Sequence, residues 1–258
     1  MADTIADVRY KVAMANRVLS ACGLATGHRL SLGHASMRIP GQPDQFLVKG
    51  RGYQMDALPA MKPEDMILCD LDGNMLDGPP GSTQCFEVKI HSCVYKLNPG
   101  IQSVVHVHPT FTVLMSVLGL PIRPMAQEGV QLVAKTLPLY PHTRTIQTDE
   151  EGMDMATQMG KHKAILLQGH GATTRGADLE EAVMNMLNLE EQAKMNYYAL
   201  SALGPNYPFI PETLVAEMSN RTPLAELPHF RDPIARAKGQ PRVGGVWKYY
   251  TELVSKDL

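Results

Sequence analysis

Three histidines and one glutamate carry the most chemical information in this chain. In Val104-Val105-His106-Val107-His108-Pro109 two imidazoles alternate with β-branched residues. Alternate residues of a strand point to one face, so His106 and His108 project together and can bind one ion at about 2.0–2.1 Å each. His170 stands at the end of another apolar run, between Gly169 and Gly171. Without side chains there, the backbone can approach an ion or ligand closely. Three neutral imidazoles leave a coordination position open for water or substrate, as catalytic sites do. Glu87 is the fourth candidate, as a ligand of the resting ion or as acid/base once substrate binds. Taken alone it also reads as a solvated helix charge beside Lys89; the histidines single it out. The expected cofactor is one divalent ion per chain, Mn²⁺ or Zn²⁺ foremost, with Fe²⁺ or Co²⁺ equally served by this donor set. Its chemistry would be to stabilise negative charge building up on a small oxygenated substrate.

The elements that must position these groups follow from periodicity. Ile5, Val8, Val12, Ala15 and Leu19 predict an amphipathic helix over residues 4–22, with Gly23 as C-cap. Short β-like runs, Phe46-Leu47-Val48 and Met66-Ile67-Leu68, are separated by turns such as Asp72-Gly73-Asn74. Phe86, Ile90, Val94 and Leu97 predict a helix over residues 82–97, capped by Ser82 or Thr83 and stopped by Asn98-Pro99-Gly100. On it Glu87 lies one turn before His91, itself a supporting or packing residue. A buried strand is expected over residues 103–107, a helix over 110–118 begun by Pro109, and a strand over 164–167. The clearest helix spans residues 178–203, where Asp178 and Glu181 resemble a capping box. Beyond Gly204 the chain is rich in proline and charge, and periodicity returns only over residues 243–250. Such a tail suits packing near the site or on a neighbouring subunit, with Tyr207, His229 and Arg231 as candidates to reach a neighbour's pocket. The expectation is one α/β domain over residues 1–258, its central sheet mixed and mostly antiparallel, with residues 204–258 as the tail.

Composition narrows the classes. The chain has 258 residues, 44% of them hydrophobic, enough for a full core without disulfides. A net charge of −2 lacks the basic surface of a nucleic-acid binder. No stretch approaches the ~18 apolar residues of a membrane span, and the first twenty residues lack a signal peptide's apolar block. Cys22, Cys69, Cys85 and Cys93 form no CxxC pair and read as reduced thiols, mostly small core residues, of a cytoplasmic protein. Gly50-Arg51-Gly52 is a lone GxG, and no GxSxG elbow is present. His142, His162 and His229 sit in polar surroundings, as surface histidines do.

The ordered set of motifs resembles the class II aldolase/adducin family over roughly residues 8–200. It comprises Gly33-His34-Ala35-Ser36, Lys62-Pro63-Glu64-Asp65, Asp70-Leu71-Asp72-Gly73 and Glu87-x-x-x-His91. It continues with His106-x-His108-Pro109, Gly169-His170-Gly171-Ala172, Leu179-Glu180-Glu181-Ala182 and Leu189-Glu190. The resemblance implies a three-layer α/β/α sandwich, a ring-shaped homotetramer, and a metal held by three histidines at a subunit boundary, with an acidic residue as acid/base.

Departures from the family pattern refine this. Its sugar-phosphate aldolases hold phosphate with a Gly-Asn-x-Ser loop, a Thr-Pro-Ser-Gly loop and a Ser-Ser-Glu step. Here those places read Gly33-His34-Ala35-Ser36, Lys49-Gly50-Arg51-Gly52 and Cys85-Phe86-Glu87. Two cations and an imidazole replace small donors. Arg51, backed by Lys49 and His34, suits a carboxylate held bidentately, and Phe86 suits a flat ring. The expectation is therefore a metal-dependent, non-oxidative decarboxylase of an aromatic or ring-derived hydroxy-dicarboxylate, a lyase, with a small-molecule carboxylate as its partner. Two readings stay open beside it: an aldolase or epimerase of a small sugar phosphate or hydroxy acid, and a non-catalytic adducin-like interaction module.

Overall fold

The computed structural model describes residues 3–52, 55–236 and 245–256. Helix α1 (Ile5–Ala21) is set by a capping box in which Thr4 accepts from the Asp7 amide and the Asp7 carboxylate accepts from the Thr4 amide. Strands β1 (Gly33–Ile39), β2 (Gln42–Arg51), β3 (Met66–Asp70) and β4 (Met75–Asp77) follow as an antiparallel meander. A two-residue strand β5 (Thr83–Gln84) leads to helix α2 (Val88–Leu97), strand β6 (Ser103–Val107) and helix α3 (Thr110–Leu118). Then come β7 (Leu139–Tyr140), α4 (Asp149–Met159), β8 (Ala164–Leu167), β9 (Gly171–Gly176) and the long α5 (Leu179–Leu203). Helices α6 (Glu212–Ser219), α7 (Pro228–Arg236) and α8 (Val246–Val254) form the tail.

The strand order is β4-β3-β2-β1-β6-β9-β8-β7, with β5 paired to β2 off this path. Among the described residues only β7 and β8 run parallel. The sheet is thus mixed and mostly antiparallel, as expected. Alternation along its strands feeds two apolar layers. Ala35, Leu47 and Val105 pack with Val12 and Leu19 of α1 and Val183 and Met186 of α5. Phe46, Val48 and Val104 pack on the other face with Ile90 and Val94 of α2 and Met155 of α4. Helices on both faces of one sheet make the α/β/α sandwich.

The expected helix over residues 82–97 is corrected. Its first turn is strand: Thr83 and Gln84 pair with Arg51 and Gly50 at the end of β2, and α2 begins only at Val88. Backbone hydrogen bonds to β2 win over the apolar helical stripe here, and Glu87 occupies the N-cap position rather than the helix body. The capping box on α5 is half formed: Asp178 accepts from the Glu181 amide, while Glu181 reaches back to the Ala177 amide.

In the tail, Trp247, Tyr250 and Val254 of α8 pack against the α1 side of the core. Tyr207 is buried and donates to Asn196 of α5. His229 and Arg231 lie exposed on α7. Of the periodic run over residues 243–250, the first two lie outside the described residues. No helix among the described residues is long and apolar enough to cross a membrane.

Candidate metal centre

Strand register assembles the site. In the antiparallel pairing of β1, β6 and β9, His34 stands opposite His106, and His106 opposite Thr173. Residues directly opposite share a face, so all three point toward the α2 side of the sheet. The His106 Nδ1 lies 3.1 Å from Thr173 Oγ1, which orients the ring and leaves Nε2 to face the cluster. His108 follows just past the strand end, its Nε2 3.1 Å from that of His106. His170 completes the group, its ring centroid 4.6 Å from His108 and 5.1 Å from His106.

The two glycines around His170 admit a neighbouring strand to close range. Gly169 takes φ +66°, and a Cβ on Gly171 would lie 2.4 Å from the Val107 carbonyl oxygen. Only glycine lets β9 lie this close to β6 beside the histidines. The His108 backbone is held from outside the motif, by Arg29, whose guanidinium donates to the His108 carbonyl at 3.0 Å. Glu190 of α5 accepts from the amides of Phe111 and Thr112 at 2.9 and 2.8 Å, satisfying the open first turn of α3.

Glu87 closes the fourth side. Its carboxylate oxygens lie 3.5 Å from His106 Nε2, 3.5 Å from His170 Nε2 and 3.8 Å from His34 Nε2, and the Ile146 amide donates to it at 3.1 Å. One ligand atom from each of Glu87, His106, His108 and His170 falls within 4.8 Å of the others. Ligands about 2.0–2.1 Å from a shared tetrahedral ion sit roughly 3.3 Å apart; His106 and His108 at 3.1 Å, and the two Glu87 oxygens at 3.5 Å from His106 and from His170, are close to that spacing.

Burial makes the donors suitable. It drives the His106 imidazole well below its ordinary value, and pushes His108, beside His170, down to about 3, leaving both neutral and able to ligate. Burial opposes ionisation of Glu87, yet the adjoining His106, His170 and His34 outweigh it and hold the carboxyl well below the usual range. His106 and His108 therefore offer neutral nitrogens, and Glu87 an anionic carboxylate.

A cavity of about 130 Å³ opens onto this cluster, lined by Gly33, His34, Arg51, Phe86, Glu87, His108, Thr145 and His170 among others. The Arg51 guanidinium lies 4.8 Å from the Phe86 ring centroid, and Phe86 is 59% exposed at the mouth. Lys49 is elsewhere. It shares the face of Leu47, opposite to that of Val48 and Ser36, and its fully buried ammonium is bonded to Asp56. Asp56 in turn lies 3.3 Å from Arg51 Nε. The three family loops around phosphate correspond here to strand ends of β1 and β2 and to the turn before α2. No tail residue lines the cavity among the described residues.

Several site residues escape the motif reading. Thr173, Arg29 and Asp56 act on a candidate site residue rather than on the cavity, and single polar residues on long-range contacts carry no local pattern. Strand β1 does carry one: His34, Ser36 and Arg38 alternate with Ala35, Met37 and Ile39.

Residues 11–197 match the family described as Class II Aldolase and Adducin N-terminal domain. The chain belongs to that family. Among similar proteins of this class II aldolase family, the 3,4-dihydroxyphthalate decarboxylase of Arthrobacter keyseri is 34% identical over 83% of this chain and 87% of its own. The 3-oxo-tetronate 4-phosphate decarboxylase of Haemophilus influenzae is 28% identical over 73% of this chain and 86% of its own. The structure of an L-fuculose 1-phosphate aldolase from Glaciozyma antarctica superposes with a TM-score of 0.75 at 22% identity, covering 99% of this chain and 92% of that one, which establishes the shared fold. With decarboxylases among relatives of this similarity, this family member is an enzyme, a carboxy-lyase. The reading as a non-catalytic module is set aside.

Proposed function

We propose that this chain is a metal-dependent, non-oxidative decarboxylase of an aromatic hydroxy-dicarboxylate. The observation that carries the proposal is the pairing of an intact His106, His108, His170 and Glu87 donor set with a cavity mouth built from a guanidinium and a phenyl ring, Arg51 over Phe86. A site for a sugar phosphate has little use for an aromatic wall; a flat diacid uses both groups.

Held by His106, His108 and His170, with Glu87 as a fourth ligand only until substrate binds, one divalent ion, Mn²⁺ or Zn²⁺ by preference, would supply Lewis-acid stabilisation of charge on a substrate oxygen. The chain's own residues do the rest. Arg51 and His34 hold the carboxylate that stays, and Phe86 faces the ring. Lys49 fixes Asp56, and Asp56 fixes the Arg51 fork, so its contribution to binding is indirect. Glu87 begins as a carboxylate and takes the proton of a ring hydroxyl. It then passes that proton to the ring carbon as the carbon–carbon bond breaks, its electron pair staying on the ring and carbon dioxide leaving. The hydroxyl regains a proton from solvent, so no oxidant is consumed.

The cavity is small for such a substrate: about 130 Å³ against the ~300 Å³ or more of ordinary ligand pockets. We read its mouth as completed by a neighbouring subunit of a cytoplasmic homotetramer. Exposed Tyr198, Leu203 and Phe209 supply apolar surface for such contacts, and light scattering should return four subunit masses.

A phosphorylated substrate is the second reading, favoured by the Haemophilus relative and by the ability of Arg51 to bind phosphate. A metal-reconstituted assay separates the two. Carbon dioxide from hydroxyphthalates or hydroxypyridine dicarboxylates supports the proposal. Carbon dioxide from a phosphorylated oxo-acid, or aldehyde from fuculose or ribulose phosphate, with inert aromatic diacids, overturns it.

A further inference from the structure

From His34 on the cavity wall runs a buried chain of polar side chains that, His34 apart, the proposed chemistry does not use directly. His34 Nδ1 lies 2.6 Å from His91 Nε2, His91 Nδ1 lies 2.6 Å from Ser36 Oγ, and Ser36 Oγ lies 2.7 Å from the Tyr95 hydroxyl. His91, Ser36 and Tyr95 are wholly inaccessible, and His34 is 5% exposed. The chain spans two elements. His34 and Ser36 are alternate residues of β1, while His91 and Tyr95 lie one turn apart on α2 and face them.

A cluster of His34, His91 and Cys85 within 4.8 Å also has the composition of a metal site. The 2.6 Å separation of the two imidazole nitrogens decides against it. Two nitrogens on one ion sit roughly 3.3 Å apart, whereas 2.6 Å is a short hydrogen bond.

Such a chain has two possible directions, and its ends choose between them. In one, Tyr95 donates to Ser36, Ser36 to His91 Nδ1, and His91 Nε2–H to His34 Nδ1; His34 then carries its proton on Nε2. In the other, every donor is reversed. That reversal would turn the bare Nε2 lone pair of His34 toward the Glu87 carboxylate, 3.8 Å away. It would also leave one hydroxyl only a backbone carbonyl at 3.4 Å to donate to, Tyr95 that of Gln102 or Ser36 that of Val104, in place of a partner within 2.7 Å. A carboxylate only accepts, so both ends favour the first direction.

We propose that His91, Ser36 and Tyr95 are positioning residues that fix His34 as an Nε2–H donor into the cavity, a built-in selection for a ligand carboxylate rather than for a ligand donor. The proposal rests on the reading of His34 as a carboxylate anchor, and it deepens that reading. The selection is one of polarity. An imidazole free to change tautomer accepts from a hydroxyl as readily as it donates to a carboxylate, whereas this one is held to donate.

Nitrogen-15 spectra of the zinc-reconstituted enzyme, labelled at histidine, test the direction without reference to turnover. His34 and His91 should both appear with Nε2 protonated and Nδ1 accepting. A His34 protonated at Nδ1 overturns the proposal. Binding of phthalate, a ring diacid without the reacting hydroxyl, tests the consequence. His91→Phe should weaken it about tenfold and Ser36→Ala about threefold, at unchanged zinc content. His91→Gln offers an N–H to His34 and a carbonyl to Ser36, and should restore binding to within about twofold. Wild-type affinity in both His91→Phe and Ser36→Ala would contradict the positioning role, and Ser36→Ala, a small change, keeps the test open should His91→Phe fail to fold. If the wild type binds no phthalate but the spectra give the expected tautomers, the anchor reading fails and the relay stands.

Discussion

The Arg51 guanidinium stacks over the exposed ring of Phe86, 4.8 Å from its centroid, at the mouth of a cavity floored by Glu87 and His170. The ring holds the fork broadside while Asp56 and the Ser31 carbonyl take two of its donor edges. On the proposed function, a substrate carboxylate takes the rest of the fork. Arg51→Ala should therefore lower kcat/KM for an aromatic diacid by about 10- to 100-fold, mostly through KM, the worth of a charged hydrogen-bonded contact. Arg51→Lys should recover little, since an ammonium cannot reproduce the planar fork. Steady-state kinetics with unchanged KM in Arg51→Ala would place the anchor elsewhere.

Glu87 and the histidines should separate into two phenotypes. Removing a histidine, as in His106→Ala or His170→Ala, takes away a nitrogen donor, and metal analysis should find well under ~0.2 ion per subunit. Glu87→Gln leaves the three imidazoles and should retain most of the metal while turnover falls by about 10²–10⁴-fold, the range of a lost general acid/base. Full metal and full turnover in Glu87→Gln would remove it from the reaction.

The contact between Glu190 and the start of α3 links packing to the site. Its carboxylate satisfies two open amides, and burial raises its pKa despite them. Glu190→Ala should cost about 1 kcal/mol, as loss of a helix N-cap does, or roughly 2–4 °C in Tm. Because α3 begins two residues after His108, zinc affinity should fall too, by roughly tenfold. A competition titration against a chelator measures this, and an unchanged affinity would show that His108 needs no support from α3.

The clustering of Glu87, His106, His108 and His170 was legible because it is written locally. His106 and His108 need only strand alternation to share a face, and Gly169 and Gly171 announce the tight approach around His170. Helices α1 and α5 were legible from period and caps. The start of α2 was not: Thr83 and Gln84 become strand only because β2 lies beside them, a contact no local pattern encodes. Lys49 and Arg51 looked equivalent in sequence, two residues apart. The side chains diverge where β2 ends, Lys49 in the core layer and Arg51 at the cavity. Polar alternation such as that along β1 is usual where one strand face meets water, yet His34, Ser36 and Arg38 are all buried, because α2 supplies partners in place of water.

Acid should destabilise the metal-free enzyme through its neutral histidines. His34, His91, His106 and His108 all have folded values depressed by burial, His108 down to about 3. An unfolded histidine titrates near ~6.5, so between the two values the unfolded chain binds more protons. Stability is then full above about pH 6.5 and declines as pH falls. Glu87, also depressed, acts in the same sense below about pH 4.3. Calorimetry of chelated protein should give a Tm that is flat above about pH 7 and falls toward pH 5. A Tm that holds or rises on acidification would mean these histidines are already charged in the fold.

The most direct test of the account is the reaction of a dihydroxyphthalate with metal-reconstituted enzyme in heavy water under anaerobic conditions. The account predicts carbon dioxide and ring product in equal amounts, with one deuterium on the carbon that lost its carboxylate, and loss of both on chelation or in Glu87→Gln. Absence of carbon dioxide, a requirement for oxygen, or turnover undiminished in Glu87→Gln would contradict it.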